Sequence, residues 1–127
     1  MDKVVKDCPF CDMGAARIIY EDSTWMAVLD GFPVSKGHTL LIPKRHCETY
    51  FDLNYAESST LASTINVVKR ILDTRYSPNG YNIGVNCGKS AGQTVPHCHI
   101  HIIPRHDGDV EDPRGGVRGV IPSKQKY

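Results

Sequence analysis

Three histidines recur at alternate positions in the run His97-Cys98-His99-Ile100-His101-Ile102-Ile103. In an extended strand, residues i, i+2 and i+4 share a face, so the three imidazoles line one surface while Cys98, Ile100 and Ile102 turn to the other. At about 3.3 Å per residue the outer two backbones stand roughly 13 Å apart, so neighbouring pairs can share a metal but one ion holding all three is strained. Divided labour fits the alternation better, because a neutral imidazole is a nucleophile near pH 7 and equally a hydrogen-bond donor or metal ligand. Space-filling histidines would each need a buried polar partner, a demand made three times within a few residues. The preceding segment, Gly88-Lys89-Ser90-Ala91-Gly92-Gln93-Thr94, supplies flexible backbone N–H groups and neutral donors of the kind that hold anionic oxygens. Glycine-rich hairpin connections are common; this one gains meaning from its neighbour.

A second constellation is Cys8-Pro9-Phe10-Cys11, whose spacing lets both thiolates reach one tetrahedral ion. The spacing leaves zinc and a chance pair open. A redox pair would sit after a strand in a thioredoxin-like unit, whereas only seven residues precede Cys8. Five cysteines are an odd number for a disulfide frame, and Cys47, Cys87 and Cys98 read as structural thiols, since their neighbours offer no complete second ligand set. The opening run Met1 to Asp7 has no apolar core of signal-peptide length, and no stretch approaches the roughly 18 apolar residues of a membrane span. Cytoplasmic residence without membrane contact is the expectation.

These groups must be positioned by short elements. Runs rich in β-branched or aromatic residues at Arg17 to Glu21, Trp25 to Leu29, His38 to Pro43, Tyr81 to Asn86 and His97 to Ile103 predict five strands. The turns between them are short, which favours antiparallel pairing. A helix is predicted from Asn54, an N-cap with Glu57 three residues on, to about Tyr76, before Ser77-Pro78-Asn79-Gly80. Leu61, Ile65, Val68 and Leu72 form one stripe on it that would pack on the sheet. The expectation is a single α+β domain over residues 1–127, with a core at about 8–106, a short N-terminal segment, and a loop or arm at 107–127. Arg114, Arg118, Lys124 and Lys126 of that arm read as a solvated face, His106 as a solvated loop residue, and His38 as a strand residue that hydrogen-bonds. A net charge of +1 gives no case for a nucleic-acid duplex as partner and leaves a small or nucleotide-sized ligand.

The stretch from Asn86 to Ile103, with Gly92-Gln93-Thr94-Val95 ahead of the alternating histidines, resembles the signature of the histidine triad (HIT) superfamily. The resemblance extends to Leu29-Asp30-Gly31-Phe32-Pro33 and to Gly37 through His46, and Pro104-Arg105 leans it toward the fragile-histidine-triad hydrolases of dinucleoside polyphosphates. It implies a HIT-like fold and a nucleotide hydrolase or nucleotidyl transferase cleaving at the α-phosphate of phosphoanhydrides or phosphoramidates. His99 would be the nucleophile and His101 would serve the phosphate or leaving group. Asn86 and Thr94 would bind phosphate, Gln93 would meet the polyphosphate, and Asp30 would accept from the ribose, although Asp30 could simply open the Gly31 turn and Asn86 could end its strand. The zinc-bearing members imply a structural Zn²⁺ on Cys8, Cys11, His46 and His97. A purine nucleotide ligand and a homodimer are likewise implied. Two readings compete with turnover at an anhydride: a vestigial nucleotide-binding signalling protein, and an adenosine phosphoramidase of the Hint type. A zinc hydrolase using His97 and His99 as ligands is a further rival, but no acidic residue follows the triad until Asp107 to act as its base.

Overall fold

A computed structural model describes residues 7–11 and 17–127. The expectation of no leader falls largely on residues 1–6, outside those described. Five strands, β1 (Ile18–Glu21), β2 (Trp25–Leu29), β3 (Thr39–Pro43), β4 (Gly80–Val85) and β5 (Ile100–Arg105), form one sheet in the order β1-β2-β3-β5-β4, every neighbouring pair antiparallel. A single long helix, α1 (Tyr55–Tyr76), crosses over between β3 and β4. This is the α+β architecture expected, with β2 at its predicted bounds and the other strands shifted at one or both ends by one to three residues.

The largest shift matters. β5 starts at Ile100, so of the three alternating histidines only His101 lies in the strand, and His97 and His99 precede it in irregular backbone. The extended-strand argument for a shared face therefore applies to none of their pairs. Val95-Pro96 interrupts the run: His97 N–H closes a tight turn onto the Val95 carbonyl at 2.8 Å, and Cys98 N–H donates to the Cys47 carbonyl at 2.7 Å instead of entering the ladder.

Alternation sorts the sheet into two faces. Trp25, Ala27, Leu41, Ile100 and Ile102 meet Val68 and Leu72 of α1 with Leu61 and Ile65 beside them, the stripe read from the sequence. Met26, Val28, Leu40 and Ile42 point the other way, packed by Phe10 and Ile18. His101 is paired with Leu40, so it shares this helix-free face. β3 is buried at every position, as befits a central strand covered on both sides.

The helix begins at a capping box in which Asn54 and Glu57 bond each other's backbone N–H groups, and it ends on Ser77 in the left-handed conformation. Glu57 is almost fully buried because it also receives the Arg45 guanidinium through Nε at 3.1 Å and Nη2 at 2.8 Å. Arg45 adds a bond to the Asp52 carbonyl, which pins the segment after β3 to the start of α1. No helix among the described residues is long and apolar enough to cross a membrane.

The arm departs from a bare loop. Two short 3-10 turns, Gly116–Val120 and Pro122–Lys124, fold it back on itself. Arg118 is not simply solvated as expected: it donates to the Gln125 and Lys124 carbonyls and lies over the Tyr127 ring. His106 also differs, being half-buried with an Nε2 that has no hydrogen-bond partner.

Candidate functional site

On the helix-free face a cavity of about 590 Å³ opens between the end of β2, the loop before β5 and the Pro9-Phe10 segment. Asp30, Asn86, Thr94, His99 and His101 all line it. Five of the six residues expected to serve substrate and catalysis thus converge. The sixth does not: Gln93 accepts from Gly88 N–H at 2.8 Å and donates to the carbonyls of Glu48 at 2.6 Å and Val95 at 3.0 Å. Its carboxamide bonds backbone on both sides and braces the loop.

His99 is buried, with Nδ1 2.8 Å from the His97 carbonyl oxygen. A carbonyl only accepts, so Nδ1 carries the proton and Nε2 is left with a bare lone pair. The Phe10 ring edge, with centroids 4.9 Å apart, restricts the imidazole from one side.

His101 belongs to a chain that assigns its own protons. Val34 N–H donates to His38 Nδ1 at 3.1 Å, so that ring holds its proton on Nε2. Nε2 faces His101 Nδ1 at 2.9 Å, which must accept, leaving His101 with N–H at Nε2. Asp30 Oδ2 stands 3.4 Å from His38 Nε2, while its Oδ1 accepts from Phe32 N–H at 2.9 Å. Asp30 therefore does shape the Gly31 turn and still presents a carboxylate oxygen at the cavity. Burial pushes the His38 imidazole below its ordinary pKa, against a smaller opposing pull from Asp30. His101 is lowered in the same way by burial, with His99 and His38 adding to it. Both stay neutral, as the hydrogen-bond chain requires. His38 was expected only to hydrogen-bond; its partners turn out to be site residues. Its position at the start of a strand next to the Gly37 turn gave no hint that its ring would meet His101, because that contact crosses between β3 and β5.

Behind the site, Cys8, Cys11, His46 and His97 bring their donor atoms within 4.8 Å of one another. His97 Nδ1 lies 3.4 Å from Cys8 Sγ and 3.5 Å from Cys11 Sγ, and His46 Nδ1 lies 3.2 Å from Cys11 Sγ. A tetrahedral zinc at its usual bond lengths separates sulfur and nitrogen ligands by about 3.5 Å. The outer contact also fits, since His97 Nε2–H donates to the Pro43 carbonyl at 2.8 Å and so frees Nδ1 for an ion. The donor set thus suits zinc. Asp30, His38 and His101 also fall within 4.8 Å of one another. That group is no metal centre, because His38 Nε2 is protonated by the logic above. Cys98, between His97 and His99 in sequence, is buried, and its hydrogen bond with Cys47 together with burial pushes the thiol well up. It remains a protonated thiol and not a second nucleophile.

The cavity holds one feature that sequence reasoning passed over. Arg17, taken only as the start of a strand, lies at its Gly31 end. The missing side chain of Gly31, one position past Asp30, was the available signal.

Comparison with known proteins finds a HIT domain matching residues 14–108. An uncharacterized HIT-like protein of Methanocaldococcus jannaschii is 41% identical over 110 residues, covering 82% of this chain and 83% of its own. The asymmetrical bis(5'-nucleosyl)-tetraphosphatase of Schizosaccharomyces pombe is 34% identical over 97 residues, which span 76% of this chain and 53% of that protein. Among solved structures, a zinc-bound histidine triad family protein of Mycobacterium smegmatis superposes with a TM-score of 0.72 at 38% identity, covering 81% of this chain and 78% of that one.

Proposed function

The chain belongs to the HIT-domain family, and from that premise we propose that it cleaves nucleoside 5'-phosphate anhydrides or phosphoramidates at the α-phosphorus through a covalent nucleotide on His99. The observation that carries this reading is the His99 tautomer: Nδ1–H is tied to the His97 carbonyl, so the nucleophilic lone pair at Nε2 belongs to a residue lining the cavity.

In the first step the Nε2 lone pair forms the N–P bond as the bond from phosphorus to the leaving group breaks. The Nε2–H of His101 hydrogen-bonds the charge growing on the phosphate oxygens or the departing atom, and its direction is fixed beforehand by His38. Asn86 and Thr94 hold the phosphate, and the Asp30 carboxylate accepts from the ribose hydroxyls. Water then cleaves the N–P bond, releasing a nucleoside monophosphate and neutral His99.

Cys8, Cys11, His46 and His97 would hold a structural zinc, a closed Cys₂His₂ set that fixes backbone and offers no vacancy for water. The zinc-bound relative supports this. The working unit is the core of residues 8–106, with 107–127 an appended arm; the family match ending at residue 108 supports that division. A homodimer is supported by β4 lying at the sheet edge with Ile83 47% exposed. Five cysteines with no disulfide support a reducing, cytoplasmic setting.

The substrate test is a turnover screen over dinucleoside polyphosphates, adenosine phosphoramidate and acyl-adenylates. We expect release of a nucleoside monophosphate from at least one class, and loss of it in His99→Ala. The relative named as a tetraphosphatase favours the dinucleoside polyphosphates. Tight retention of a monophosphate without turnover of any class would replace this reading with that of a nucleotide-binding protein.

A further inference from the structure

Arg17 carries the guanidinium at the cavity, and nothing in the reaction outlined above uses it. Of the described residues lining the cavity, Arg17 is the only Lys or Arg and Asp30 the only Asp or Glu. Among the described residues the guanidinium has no hydrogen bond or ion pair. It rests over Gly31, where an added Cβ would meet Arg17 Nη1 and the guanidinium would have to move aside. Its place in the sheet sets what it can reach. Arg17 directly precedes β1, the strand at one edge, whereas His99 directly precedes β5, three strand intervals or roughly 14 Å away. With phosphorus at His99 and ribose at Asp30, the end of the ligand that meets Arg17 is the nucleobase, which would lie along the apolar wall of Phe10, Val28 and Leu40.

We propose that Arg17 reads the base and makes the site prefer guanine nucleotides, a reading that rests on the nucleotide function proposed above. A guanidinium offers donors only, in a planar fork. Guanine presents two adjacent acceptors, O6 and N7, which that fork matches bidentately; adenine presents N7 beside an amino donor, which opposes it. Hypoxanthine keeps both acceptors and should be read as guanine is.

The experiment is calorimetric titration of the full, zinc-supplemented chain with GMP, IMP, AMP and 7-deaza-GMP, repeated on Arg17→Ala and Gly31→Ala. GMP and IMP should bind roughly tenfold more tightly than AMP, the low end of a bidentate contact because Arg17 is exposed. Loss of N7 in 7-deaza-GMP should remove most of that advantage. Arg17→Ala should bring GMP and AMP within about twofold, with AMP affinity unchanged. Gly31→Ala should do the same by evicting the guanidinium, and it decides the matter if Arg17→Ala does not fold. Equal affinity of the parent for GMP and AMP, or a preference that survives both substitutions, overturns the base assignment while leaving nucleotide binding intact. Failure of a folded parent to bind either nucleotide removes the nucleotide reading itself, and this inference with it.

Discussion

Each of the three alternating histidines has one ring nitrogen committed to a neighbour, and the identity of that neighbour divides their roles. His97 donates to Pro43 O and turns Nδ1 toward two thiols; His99 donates to His97 O and keeps a lone pair on Nε2; His101 accepts from His38 and keeps a proton on Nε2. His38 is therefore a positioning residue. His38→Asn should lower kcat at least tenfold with KM changed less than about threefold, since the loss of one preorganised donor direction is felt mainly in the transition state. Steady-state kinetics normalised to active sites counted by burst titration separates this from a folding defect, which would lower the active fraction and leave kcat per site at the parental value. The same residue carries a pH effect on stability. Burial depresses His38 and His101 in the folded chain, so the unfolded chain, with histidines near 6.5, binds more protons in mild acid. Their contribution is complete above about pH 6.5 and is lost as pH falls through the lowered folded values. Urea midpoints should drop between pH 7.5 and 5, and the slope should be shallower in His38→Asn; an unchanged slope would show that His38 is not held neutral.

At the scale of elements, the segment from Pro43 to Asp52 does most to align the site. It carries His46, its Cys47 carbonyl receives Cys98 N–H, and Arg45 locks it to Glu57 of α1. Glu57 caps the helix and neutralises Arg45 while almost wholly buried, so Glu57→Ala should cost about 3 kcal/mol in chemical denaturation by stranding a partner charge and one capped N–H. A loss below about 1 kcal/mol would mean that the pair is dispensable. Much of this frame was legible in the sequence: the Asn54 and Glu57 capping box, the Leu61 to Leu72 stripe and the apolar run of β2 are local patterns. The start of β5 was not, because Pro96 and the cross-connection from Cys98 to Cys47 override the strand propensity of the run. His38 facing His101, Gln93 bridging to Glu48, and Arg17 over Gly31 join residues distant in sequence, and no spacing rule reaches them.

For the whole molecule, the Cys8, Cys11, His46 and His97 donor set and the cavity lined by His99 share a wall. Phe10 lies between the two thiol donors in sequence and edges against both His97 and His99, with centroids 6.1 and 4.9 Å away. Removal of zinc by a strong chelator should therefore lower the melting temperature by several degrees, as expected for loss of a bound ion, and Cys8→Ser should reproduce the shift. A melting temperature unmoved by chelation, with metal analysis confirming loss, would contradict a structural zinc. The measurement that bears most directly on the account is denaturing mass spectrometry of the protein quenched at alkaline pH during turnover. It should show the added mass of one nucleoside monophosphate on the peptide carrying His99, absent in His99→Ala; an adduct-free parent together with a His99→Ala protein that turns over at the parental rate would contradict it.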